Sequence, residues 1–95
     1  MKNDEIMEFL KAHKVKIADR FGVRRIGLFG SHARGEASDQ SDVDILVEMD
    51  HPGFDSYMDL KFYLEEHLGR PVDLVLADSI KPRLRLIIAR EVSYA

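Results

Sequence analysis

The sequence contains no cysteine, which excludes a disulfide framework and a thiolate metal site. No apolar run approaches the roughly 20 residues that a membrane-spanning helix needs. The opening Met1-Lys2-Asn3-Asp4-Glu5 lacks the apolar core of a secretory signal. A cytoplasmic location is therefore expected, with no membrane partner. There is no basic excess either: 95 residues carry a net charge of −3, which argues against a general nucleic-acid clamp. Repeats, linkers and low-complexity segments are also missing. What remains is 45% hydrophobic and 33% charged, the balance of a globular chain rather than a disordered one. Residues 1–95 are expected to form a single domain near the small end of the usual range.

The spacing of apolar residues places the elements. Residues 3–21 read as an amphipathic helix capped by Asn3 or Asp4, with Ile6, Leu10, His13, Ile17 and Phe21 recurring at three and four. His13 reads as a core-edge histidine, because no partner stands near it at zinc-ligand spacing. Gly22 ends the helix. Residues 23–29 form a first strand, with Ile26 and Leu28 on one face and Gly27 and Phe29 on the other. Arg24 and Arg25 are assigned to solvent or a partner. Residues 43–49 form a second strand. Residues 54–68 read as a helix capped at Asp55, with a stripe of Tyr57, Leu60, Leu64 and Leu68 and a stop at Gly69. Residues 72–76 form a third strand. A last helix, capped by Ser79 with Pro82 in its first turn, turns Leu84, Ile87 and Ile88 inward. Residues 92–94 add a short strand. The fold class expected is α/β (α+β), a mixed sheet of three to five strands backed on one face by helices 3–21 and 54–68.

The chemistry concentrates in residues 29–48, FGSHARGEASDQSDVDILVE. Asp42 and Asp44 open a strand in an Asp-x-Asp arrangement. Alternation puts both on one face, with Cα atoms roughly 6.5 Å apart, close enough to grip one metal ion or a metal pair. Before them, Gly30 lets the backbone turn sharply and approach a ligand. Ser31 then opens a short helix over 31–34, whose N–H groups favour an anion such as phosphate. Ser38, Asp39, Gln40 and Ser41 supply the turn between the two halves. Taken singly, a Gly-Ser turn or an Asp-x-Asp pair is a weak signal; their conjunction on one strand–turn–strand unit describes a nucleotide site that polarises a phosphoryl group. Asp73, the lone acid of the third strand, fits either an edge-strand device against aggregation or a buried carboxylate that needs a metal or a proton as partner.

Gly30-Ser31-His32-Ala33-Arg34-Gly35-Glu36-Ala37, followed by Ser41-Asp42-Val43-Asp44-Ile45-Leu46-Val47, resembles the GSxARGxA…SDxDLLV motif of minimal nucleotidyltransferases. These are the small stand-alone members of the DNA polymerase β-like superfamily, and the resemblance covers the whole motif and the chain length. It implies the nucleotidyltransferase fold, with ATP as substrate and two Mg²⁺ ions. Asp42 and Asp44 would bind the metals, and Asp73 would complete the second site or act as base. Gly30 and Ser31 would hold phosphates. Arg34 would pair with phosphate oxygens or brace the loop.

The same resemblance implies a partner. Such proteins act as antitoxins to HEPN-domain toxins, transferring AMP from ATP to a toxin tyrosine, and a homo- or hetero-oligomer is compatible with that role. Two other readings stay open: a non-catalytic antitoxin that occludes its partner, and a small-molecule nucleotidyltransferase of the aminoglycoside kind. The chain has no room for the helical domain that larger relatives append, so its acceptor surface is expected to be shared with another protein. Val15, Met58, Phe62 and Leu86, off the core stripes, are candidates for a partner patch. Lys81, Arg83, Arg85 and Arg90 could meet an acidic partner or the triphosphate.

Overall fold

The computed structural model describes residues 3–36 and 42–95; the turn expected at 38–41 lies outside them. Helix α1 is Asn3–Phe21. Its apolar stripe does what the spacing requires, burying Ile6, Leu10 and Ile17 completely. Asp4 lies inside the first turn beside Glu5 rather than at the cap. There its charge faces the positive end of the helix dipole. Gly22, at φ 68°, carries the chain out of α1 and into β1, Val23–Phe29.

Strand β1 ends directly in the short helix α2, Gly30–Arg34. Next come β2 (Val43–Met49), α3 (Phe54–Leu68) and β3 (Val72–Leu76). A 3-10 turn at Ala77–Ser79 leads to α4 (Pro82–Glu91) and β4 (Ser93–Tyr94). The sheet order is β3-β2-β1-β4. Strand β1 is antiparallel to both β2 and β4, while β2 and β3 are parallel. A parallel pair cannot be closed by a hairpin, so α3 is the crossover that this pair demands. The mixed four-stranded sheet is the α+β architecture expected. Among the described residues no helix is long and apolar enough to cross a membrane.

The core lies between the sheet and helices α1 and α3. Val43, Ile45 and Val47 of β2, Ile26 and Leu28 of β1, and Val72 and Leu74 of β3 meet Leu60, Tyr63, Leu64 and Leu68 of α3. Strand alternation then turns Asp44 and Asp73 to the other face. Gly27, also on that other face, has no side chain where a Cβ would come within 2.7 Å of Val92, which lets the C-terminal strand seat closely against β1.

Three local expectations are corrected. Gly53, not Asp55, is the N-cap of α3: the first turn closes through Tyr57 N–H onto Gly53 O at 3.0 Å, leaving Asp55 inside the turn. Ser79 does not cap α4; it closes the 3-10 turn, and Lys81 is the cap. The reason is Pro82, whose fixed φ and missing N–H suit the first helical position. Leu84 and Ile87 do not face inward, being 41% and 53% exposed, and α4 buries no residue fully. Helices α1 and α3 already fill the covered face, and α4 packs against α2 instead. Arg24 and Arg25 are exposed as expected, yet they pair within the chain, with Asp50 at 3.0 Å and Glu48 at 3.3 Å.

This division between core and margin has a measurable consequence. Leu64→Ala is expected to cost about 2–5 kcal/mol in chemical denaturation, whereas Leu84→Ala should stay within about 0.5 kcal/mol. Equal losses would mean that α4 belongs to the core after all.

Candidate active site

Register assembles the acids. In the antiparallel β1–β2 pair Asp44 stands opposite Phe29, and in the parallel β2–β3 pair it stands beside Asp73. Neighbouring strands run about 4.8 Å apart, so the two carboxylates share one face at neighbouring positions. Val43 N–H donates to Pro71 O at 3.0 Å, fastening the entrance of β2 to that of β3 just where Asp42 enters the strand. Asp44 is half-buried, whereas Asp42 and Asp73 are exposed. Asp73 thus lies on an edge strand in the open, next to a half-buried acid.

The electrostatics follow from this placement. Burial pushes the Asp44 carboxyl above the usual aspartate value, and the negative charges of Asp73 and Asp42 push it further. A hydrogen bond that the protonated Asp44 carboxyl donates to Asp73 acts in the same direction, while the charge of Arg34 opposes the rise. Gly30 meets this carboxylate from the other side. Its φ is 73°, a conformation that L side chains adopt only at a cost. A Cβ built there would run into Asp44 Oδ2. The Gly-Ser turn therefore closes directly onto the acid, as residue types 14 positions apart cannot announce from spacing alone.

Ser31 is half-buried, and its carbonyl accepts from Glu36 N–H at 2.9 Å. Arg34 is exposed and reaches Glu36 at 3.0 Å and Glu91 at 2.9 Å. Both partners raise its pKa through hydrogen bonding. Of its two expected roles, this geometry displays the brace, tying α2 to the end of α4. Sequence reasoning gave no role to His32, Arg70 or Glu91. His32 is 2% exposed, and its Nε2 lies 3.4 Å from Arg70 Nη1, so a buried ring underlies the helix that begins at Gly30. The Arg34–Glu91 pair spans 57 residues, and no local pattern could signal it. His13 is half-buried as expected, stacked on Phe9 with ring centroids 4.1 Å apart. His67, brought in by α3, lies 5.8 Å from it.

The nucleotidyltransferase domain family model matches residues 10–95. The chain belongs to this family. A protein adenylyltransferase, MntA of Thermococcus cleftensis, is 48% identical over 92 residues, covering 96% of this chain and 93% of that protein. A solved structure of a candidate minimal nucleotidyltransferase superposes with a TM-score of 0.84 at 35% identity, covering 98% of this chain and 95% of that one. A chain from the complex of tri-AMPylated Shewanella oneidensis HEPN toxin with MNT antitoxin superposes with a TM-score of 0.66 at 21% identity, covering 92% and 69%. At that identity the likeness is one of fold. This chain is thus a nucleotidyltransferase with the fold of the minimal members.

Its acids suit Mg²⁺ by the chemistry of the donor set. Among the described residues no three His, Cys, Asp or Glu side chains form a group that could hold a metal ion by themselves. Mg²⁺ does not need one, since it binds through one or two carboxylates together with substrate phosphates. Asp44, burdened by two like charges, gains from a divalent cation, and glycine at position 30 keeps a side chain out of the space at its carboxylate.

Two predictions follow from this geometry. Gly35 shares the left-handed φ of Gly30 (74° against 73°) but has open space where a Cβ would go. Gly35→Ala should therefore cost only the conformational penalty, about 1–2 kcal/mol. Gly30→Ala should cost about 1–3 kcal/mol more from overpacking against Asp44; equal losses in urea denaturation would show that the turn does not press on the acid.

The second concerns pH. The folded pKa of Asp44 is raised, so its contribution to stability is fully present below the unfolded value near ~3.9 and is lost as pH rises through the folded value. At pH 7 with chelator, Asp44→Asn should consequently melt above the native chain, and the gap should close in acid. A lower Tm for Asp44→Asn at pH 7 would contradict the electrostatic account.

Proposed function

We propose that this chain is a Mg²⁺-dependent protein adenylyltransferase that serves as an antitoxin, moving AMP from ATP to a tyrosine of a HEPN-domain partner. The observation that carries the reading is the register that sets Asp44 beside Asp73 and under the Gly30 turn. Support for the acceptor comes from the 48% identical relative named as a protein adenylyltransferase, and from the fold shared with a chain solved beside an AMPylated HEPN toxin.

In this reading the acceptor oxygen attacks the α-phosphorus of ATP, the bond to the β-phosphate oxygen breaks, and pyrophosphate leaves. Such transfers depend on positioning and charge stabilisation more than on covalent chemistry. Mg²⁺, when bound, would neutralise phosphate charge and ease ionisation of the acceptor hydroxyl. Asp42 and Asp44 supply its ligands. Asp73 completes the second metal position or takes the hydroxyl proton to solvent. Gly30 and Ser31 offer backbone N–H groups to the β- and γ-phosphates, with Arg34 alongside.

Incubation with α-labelled ATP, Mg²⁺ and the product of the neighbouring gene, expected to be a HEPN-domain protein, tests the reading. Label should appear on a tyrosine of that protein, and Asp42→Asn and Asp44→Asn should each lower transfer by about 10²–10³-fold while remaining folded. A complex that forms without acquiring label would establish occlusion instead. Asp73→Asn retaining activity within a fewfold would make that residue structural.

A further inference from the structure

We propose that α4 is the docking surface for the acceptor protein, and that it takes a surface with an apolar centre rimmed by carboxylates. This rests on the adenylyltransferase reading above for the identity of the occupant, though not for the character of the surface.

An apolar stripe on a helix ordinarily faces the core. At about 100° per residue, Leu84, Ile87 and Ile88 share one stripe, yet Leu84 is 41% and Ile87 53% exposed. Arg83 and Arg85 flank that stripe on either side, and Lys81 stands at its cap. Arg85 is held in place by donating to Ile80 O at 3.2 Å. Among the described residues Arg83 and Arg90 form no ion pair, and the single acid of the helix, Glu91, is taken by Arg34. The result is an uncovered apolar strip with a cationic rim, in a chain whose net charge is −3. Apolar centres with polar rims, and arginine in particular, characterise protein interfaces.

Charge selects among occupants. A second copy pairing through the same helix would set like charges against one another, which is costly. A nucleic acid would satisfy the cations through its phosphates but leave Leu84 and Ile87 without an apolar partner. An acidic protein surface satisfies both. Position favours the acceptor: Glu91 joins α4 to Arg34 of α2 at 2.9 Å, and α2 begins at Gly30 against Asp44. A protein seated on α4 therefore lies beside the acids.

The test measures binding of the HEPN protein by sedimentation velocity and titration calorimetry, with label transfer followed in parallel. Two double variants, Leu84→Asp with Ile87→Asp and Arg83→Glu with Arg85→Glu, should each weaken binding at least tenfold. Val15→Asp, on α1 and 74% exposed, changes a residue of the patch first expected from the sequence, and with α4 as the dock it should leave binding within twofold. Affinity for a non-hydrolysable ATP analogue with Mg²⁺ should be unchanged in all three, which also reports that they are folded. Native-like binding by both double variants overturns the proposal, as does failure of the native chain to bind. A homodimer dissolved by the α4 changes, or RNA displaced by them, with HEPN binding intact, would assign the surface to another occupant and overturn it too. A native complex that binds through α4 but takes no label sinks the adenylyltransferase reading while leaving the docking surface standing.

Discussion

One carboxylate sets the terms for the rest of the molecule. Asp44 is partly withdrawn from water and repelled by Asp73 and Asp42, so in its charged form it is a cost to the fold. Neither the sheet nor the core relieves that cost, since the hydrogen bond to Asp73 is one that only protonated Asp44 can donate. Arg34 relieves part of it from a distance. A cation and an anionic ligand arriving together would relieve the remainder. The candidate site is thus an electrostatic imbalance built into the sheet, and perturbed acids of this kind cluster at functional sites.

The fold delivers that imbalance with few parts. A parallel pair is needed to set Asp73 at the level of Asp44, and the parallel pair in turn requires the α3 crossover. Helix α3 then covers one face together with α1, which leaves the acids on the other. Strand β1 runs antiparallel to β2, so its C-terminal end, and with it the Gly30 turn, arrives where β2 begins. The candidate acids, the turn and the strand entrances consequently meet at one end of the sheet.

Much of this was legible in the sequence because it is periodic or punctuated. The bounds of α1, β1, β2, α3 and β3 follow from apolar spacing and from Gly22 and Gly69, and the motif around Gly30, Asp42 and Asp44 pointed to the site. Asp73 was legible as an acid on a strand; its level beside Asp44 was not, because register between strands separated by a helix is set in three dimensions. The caps at Asp55 and Ser79 failed for local reasons: α3 starts directly after Gly53, which leaves Asp55 inside the first turn, and Pro82 suits the first helical position, which makes Lys81 the cap. The inward face assigned to α4 failed for a global one. Periodicity identifies an apolar stripe but not whether anything is left to cover it.

Arg34 joins these two levels of description. Its guanidinium carries five N–H donors, and the contacts to Glu36 and Glu91 engage two of its nitrogens, Nε and Nη1. Donors therefore remain for phosphate oxygens while the brace is in place, and the two roles expected of this residue are compatible in one conformation. Its charge already acts on Asp44, so it stands within electrostatic reach of whatever the acids bind. Because the same side chain anchors Glu91, an anion bound beside the acids would act on the group that also holds α4. A helix that contributes little to the core is in this way kept in register with the chemistry, held by an ion pair at one end and by the pairing of β4 with β1 immediately beyond it.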